Sequence, residues 1–178
     1  MPGSEYYPDA QLSEKQLQAF NRRRKWDRRM LQLAEHVAQW SKDPSTKVGA
    51  VICRPDYTVA SLGFNGFPRG CDDDPHMYAD RELKLERVVH AEMNAILGAR
   101  EPLHGYSIFV WPHGPSPSCA RCTAHIIQAG IVRAVHLRPY PDDTFSERWA
   151  ESARIANAMY WEAGVDVVSY PSDYLEAD

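Results

Sequence analysis

Two short clusters in this 178-residue chain carry side chains suited to metal-assisted chemistry, His90-Ala91-Glu92 and Cys119-Ala120-Arg121-Cys122. Each reads as the opening of a helix, over Val88 to Ala99 and Cys119 to Ala129, with a short apolar strand between them. Residues three apart on a helix share a face, so both sulfurs can reach one ion. The partial positive charge at helix N-termini favours the thiolate forms a metal requires. His90, Cys119 and Cys122 make a three-ligand set, which for zinc leaves a fourth position to water. Zinc brings the pKa of such a water near neutrality, and Glu92, two residues after the histidine, is placed as its proton shuttle. A structural site would close with a fourth protein ligand; His113 and His125 are the candidates near in sequence. A pair of buried or redox-active thiols accounts for Cys-x-x-Cys alone, but not for its pairing with His-x-Glu.

The elements that must position these groups follow from periodicity. Trp26, Met30, Leu33, Val37 and Trp40 recur at helical spacing from a start near Ser13, and Lys42-Asp43-Pro44-Ser45 ends that helix. The segment also holds Arg22, Arg23, Arg24, Lys25, Arg28 and Arg29, a solvated face or a phosphate or RNA patch. Val48 to Cys53 and Thr58 to Phe64, joined by Arg54-Pro55-Asp56-Tyr57, predict a β-hairpin. A glycine-rich loop follows from Gly63 to Pro75, and the charged stretch Asp80 to Arg87 starts or covers a helix. On Val88 to Ala99 the side taken as apolar is Val89, Met93, Ile96 and Leu97. Strands over Tyr106 to Trp111, Val132 to Leu137 and Val165 to Tyr170 alternate with helices over Cys119 to Ala129 and Glu147 to Ala163. The alternation implies an α/β fold: a mixed sheet with a parallel part and helices on both faces. Residues 1–12 are expected to form a mobile arm and 13–178 a single domain.

Composition narrows the class. Twenty Lys and Arg against 24 Asp and Glu leave a net charge of −4, which argues against a dominant nucleic-acid footprint. No apolar run reaches the roughly 20 residues that span a bilayer, and Met1 to Tyr7 is polar, so a cytoplasmic location is expected. At this length a disulfide staple is not required. Cys53 on its strand and Cys71 in the loop are expected to be unpaired, a second metal site with His76 being the alternative.

His90-Ala91-Glu92-Met93-Asn94-Ala95-Ile96-Leu97 with Cys119-Ala120-Arg121-Cys122 resembles the cytidine and deoxycytidylate deaminase superfamily. Lys47-Val48-Gly49-Ala50-Val51-Ile52 and the Gly63-Phe64-Asn65-Gly66-Phe67-Pro68-Arg69-Gly70-Cys71-Asp72-Asp73 loop are similar to the deoxycytidylate (dCMP) branch, with Phe64 in place of a usual Tyr. The resemblance runs from about Trp26 to Val168. It implies a three-layer α/β/α cytidine-deaminase-like fold with a five-stranded mixed sheet, and zinc-dependent hydrolysis of dCMP to dUMP and ammonia. It implies that His90, Cys119 and Cys122 hold zinc and that Glu92 shuttles the proton. Main chain around Ala91 and Ser118 would contact the pyrimidine, Asn65 the sugar, and Tyr140 would lie near the nucleotide. Asn65 and Gly66 could equally serve only as turn formers. Arg69 is a phosphate partner or a loop-closing partner of Asp72, Asp73 or Asp74. The resemblance further implies a homo-oligomer, dimer or hexamer, and a dCTP-like effector with Mg2+. One departure stands out: the join Trp111-Pro112-His113-Gly114-Pro115-Ser116-Pro117-Ser118-Cys119 is several residues longer than the family's, with Ser118 in place of Pro before the first cysteine. Ser118 is expected to cap the following helix, and the long loop to lie beside the base pocket, with His113 a loop residue or a substrate contact. The loop opens alternative substrates: a modified dCMP, a purine or pterin nucleotide, or a tRNA adenosine. A non-catalytic zinc scaffold is the remaining class, and the presence of Glu92 counts against it.

Overall fold

The computed structural model describes residues 12–140 and 144–176. The expected N-terminal arm therefore lies, except for Leu12, outside the described residues. Helix α1 (Glu14–Ala38) precedes the hairpin of β1 (Gly49–Cys53) and β2 (Val59–Phe64). Then come α2 (Arg81–Arg87), α3 (Ala91–Gly98), β3 (Ser107–Trp111), α4 (Ala120–Gln128), β4 (Arg133–Leu137), α5 (Thr144–Glu162) and β5 (Asp166–Tyr170). The five strands form one sheet in the order β2-β1-β3-β4-β5, antiparallel through β2-β1-β3 and parallel through β3-β4-β5. No helix among the described residues is long and apolar enough to cross a membrane.

Strand alternation sorts the core into two layers. Val51, Cys53, Phe109 and Val135 face α1, where Met30, Leu31 and Ala34 are buried. Ala50, Ile52, Ile108, Val110 and Ala134 face the other helices, packing with Ala95, Ile126 and Tyr160. The architecture is therefore the expected α/β/α sandwich around a five-stranded mixed sheet.

Several local expectations are corrected. Helix α1 ends at Ala38, so Trp40 lies beyond it, half-exposed and edge-on to Phe64. The rest of the expected face holds, with Met30 and Val37 buried and Trp26 and Leu33 packed against the core, and Asp27, Leu31, Ala34 and Ala38 are buried beside them. The reason is close approach: a Cβ on Gly49 would lie 2.0 Å from the Ala34 carbonyl oxygen, so small residues must face the strand. The helix expected from Val88 starts later, after an extended break that separates it from α2. Val89 is held extended by paired hydrogen bonds with Gly66, and α3 starts only at Ala91. Its buried residues are Ala91, Glu92 and Ala95, whereas Leu97 is 71% exposed.

Helix α1 is fastened to the sheet by charge as well as by apolar contact. Asp27, fully buried, receives two hydrogen bonds from the Arg133 guanidinium at 2.9 and 2.6 Å and one from the Tyr170 hydroxyl at 2.7 Å. Such a two-pronged pair compensates two desolvated charges, and deleting one partner strands the other. Asp27→Ala is expected to lower unfolding stability by about 3–5 kcal/mol in urea titration. Glu151→Ala, which breaks only an exposed pair with Arg154, should leave the midpoint nearly unmoved.

Candidate metal centre

His90 and Cys119 are both helix caps: each has extended backbone and sits immediately before α3 or α4. Cys119 itself, not Ser118, caps α4. The Ser118 hydroxyl is engaged elsewhere, 2.8 Å from both Thr123 Oγ1 and the Tyr160 hydroxyl. Cys122 lies in the first turn of α4. The cap placement brings His90 Nδ1 to 3.4 Å from each sulfur, and all three donor atoms fall within 4.8 Å of one another. Among the described residues this is the one group of three or more His, Cys, Asp or Glu donors that could hold a metal ion. His113 and His125 are not part of it, and neither are Cys71 and His76.

The donor set fits zinc. An imidazole and two thiols at the positive ends of two helices are the ligand types and the field that zinc–thiolate binding calls for. The two sulfurs share a proton: the hydrogen bond from Cys122 holds the Cys119 thiol well below its ordinary range, and the same bond pushes Cys122 up. A divalent cation displaces such a proton on binding. Glu92, 4% exposed, faces the same space, and burial pushes its carboxyl up to about 6.

Local packing fixes the two caps. Ala91 and Ala95 seat α3 directly on β2: a Cβ on Gly63 would lie 2.2 Å from the Ala91 carbonyl oxygen and 2.3 Å from the Ala95 nitrogen. From the other side α5 holds α4, with the Ser152 hydroxyl accepting the Ala120 N–H at 3.0 Å and Tyr160 bonded to Ser118. The long loop after β3 is tied by Gly114 N–H to the Leu137 carbonyl and by the Asn157 side chain to the Pro115 carbonyl. It lies where expected: every residue from Pro112 to Ser118 lines a cavity of about 190 Å³ that also reaches His90, Glu92 and Cys119.

The other anticipated contacts distribute unevenly. Asn65, Ala91 and Ser118 line the cavity. The Asn65 amide is engaged with the chain, accepting from Val48 N–H and donating to the Thr46 carbonyl. Tyr140 is outside the lining and stands edge-on to His113, which is inside it. Arg69 is exposed and outside the cavity; Asp73 in its loop pairs with Lys42. The basic run of α1 is also absent from the lining. Arg24 and Arg28 cover Tyr174, Arg29 covers Trp26, and Arg23 pairs with Asp166.

Lys84 and Trp149 of the lining stand outside the sequence expectations, and Ser116 belongs to the loop expected there. Lys84, 7% exposed, is the sole Lys or Arg in the lining among the described residues, and it bonds Asp43 at 3.1 Å and Ser45 at 3.0 Å. Its signal lay in charge alone, since nothing in the sequence separates it from the surface charges of its own helix. Ser116 Oγ is buried, lines the same cavity and has no hydrogen-bond partner within the chain. Trp149 of α5 closes the far wall.

A family model described as the cytidine and deoxycytidylate deaminase zinc-binding region matches residues 24–138. An uncharacterized deaminase in the luxG 3′ region of Aliivibrio fischeri is 43% identical over 85% of this chain and 98% of its own length. Mouse deoxycytidylate deaminase is 32% identical over 84% of this chain and 82% of its own. The apo dCMP deaminase of cyanophage S-TIM5 superposes with a TM-score of 0.61 at 21% identity, covering 82% of this chain and 98% of that one, a likeness of fold.

Gly63→Ala should displace α3 and with it His90 and Glu92. We expect a stability loss of about 1–3 kcal/mol and a protein that purifies with less than one zinc per chain. Gly66→Ala is the control, because a Cβ there meets nothing within 4 Å and zinc content should not change.

Proposed function

The chain belongs to the cytidine and deoxycytidylate deaminase family, and on that premise we propose that it hydrolyses dCMP to dUMP and ammonia. The observation that carries the reading is the convergence of His90, Cys119 and Cys122 beside buried Glu92 at the floor of a cavity. The three ligands would hold zinc, which supplies the Lewis acidity that makes water nucleophilic near neutral pH. Glu92 takes a proton from the attacking water as oxygen adds to C4 of the pyrimidine. It passes that proton to N3, then moves the second water proton from the new hydroxyl to the amino nitrogen; the C4–N bond breaks, ammonia leaves and the C4 carbonyl remains. Burial of Glu92 suits the shuttle, because a carboxyl pushed up to about 6 takes the proton of water more readily than one in water would and still titrates close enough to neutrality to hand it on.

Recognition of the nucleotide falls to chain groups around that floor. The Ala91 and Ser118 main chain faces the ring, and Ser116 Oγ offers an unused hydrogen bond. Lys84, whose charge is met by Asp43, has three ammonium donors of which Asp43 and Ser45 take two, and the third supports a phosphate-bearing substrate over a free base or nucleoside. The position of the arginine run, away from the cavity, supports a free nucleotide over tRNA. The wall of Pro112 to Ser118 favours one second reading, a cytosine nucleotide substituted on its ring, since the wall rather than the zinc ligands sets what fits.

Ammonia release from a panel of dCMP, ring-substituted dCMP, deoxycytidine and purine nucleotides tests this. dCMP should turn over fastest; zinc-replete protein inert on dCMP would discard that substrate. Glu92→Gln should lower kcat by about a hundredfold to ten-thousandfold with zinc content unchanged. Lys84→Gln should raise KM for dCMP by about tenfold and leave deoxycytidine turnover near its wild-type level.

A further inference from the structure

A second cavity, of about 480 Å³, lies at the opposite end of the sheet from Glu92. Ser107, Arg133 and Asp166 form it where β3, β4 and β5 begin, and Arg54 and Pro55 add the turn after β1. The catalytic cavity opens beyond Trp111, where β3 ends, and no residue lines both. The five residues of β3, at roughly 3.3 Å each, separate them.

Arginine dominates the lining of this cavity. Four arginines line it, Arg22, Arg23, Arg54 and Arg133. Three are paired: Arg133 with Asp27, Arg54 with Glu101 and Arg23 with Asp166. Arg22 makes no ion pair with a carboxylate among the described residues, and although Asp56 beside Arg54 brings the local charge close to balance, Arg22 is the guanidinium left to an outside anion. Within the Arg133 side chain, 8% exposed, Nε makes no hydrogen bond, and the Asp166 carboxylate stands 3.4 Å away. Tyr57 also lines the space and holds a φ of +66°, a left-handed conformation that a tyrosine adopts at a cost. Its ring is stacked on Trp26 at 5.5 Å, so the surrounding packing fixes it there.

We propose that this cavity is a second ligand site, which binds a phosphate group. A tetrahedral anion can accept from several guanidinium donors at once, from Arg22, from the unbonded Arg133 Nε and from the Ser107 hydroxyl. The volume falls in the range of small-molecule pockets and exceeds what a bare ion fills. Pro55, Tyr57 and Val132 provide apolar surface for whatever carries the phosphate.

Titration calorimetry on the zinc-loaded protein, with inorganic phosphate and separately with adenosine 5′-diphosphate, tests the site. Saturable binding is expected, weakened about tenfold by Arg22→Gln and unaltered by Lys84→Gln in the catalytic cavity. Tighter binding of the diphosphate identifies a phosphate ester as the ligand class, and equal binding identifies the free anion. The proposal is overturned if neither probe saturates, if Arg22→Gln leaves both affinities as they were, or if Lys84→Gln is the variant that loses them.

Discussion

Two helix N-termini meet at the centre of this molecule, and they do not belong together electrostatically. Each carries about half a positive charge, so their approach is unfavourable until something negative lies between them. The thiolate shared by Cys119 and Cys122, with Glu92 beside it, is that negative charge. The surrounding sheet and helices then serve to hold the ends at this separation. Gly63 lets α3 approach β2 at backbone contact, and Ser152 and Tyr160 hold α4 from α5. The arrangement uses the positive helix ends to favour thiolates, the ligand form that a divalent cation such as zinc binds.

The same economy of buried charge recurs elsewhere in the chain. Lys84 is taken out of water only where Asp43 and Ser45 meet it, and Asp27 only where Arg133 and Tyr170 do. One pair borders the catalytic cavity, and the other secures α1 to the strand ends remote from it. His136 shows the alternative outcome. It is enclosed beneath the loop after β3, bonded to Ser169, and burial pushes its imidazole down to about 4, so it stays neutral near pH 7. Charge is kept inside this fold where a partner is built for it and is otherwise titrated away.

Substrate choice is a property of the cavity walls rather than of the metal ligands. The ligands and Glu92 lie on the first turns or caps of helices, seated on the sheet. The walls come from a proline-rich loop, from Leu85 and Val88 around the end of α2 and from Trp149 of α5. Loops and short helices change length without disturbing the sheet, so a family can keep its chemistry while its pocket varies.

The sequence by itself determined that His90, Cys119 and Cys122 form one donor cluster, the number of strands and the layered α/β/α order. Those depend on residue type and on local period, both readable along the chain. It misjudged the end of α1 and the face of α3, and it passed over the small residues that bury over Gly49 and Gly63, because that depends on a close approach no local pattern encodes. The break at Val89 has the same origin, a pairing with Gly66, 23 positions earlier in the chain. Only the tertiary structure decided which charges are buried. Lys84 and Arg133 look in sequence like their exposed neighbours, and their roles follow from Asp43 and Asp27, which folding delivers from 41 and 106 residues away.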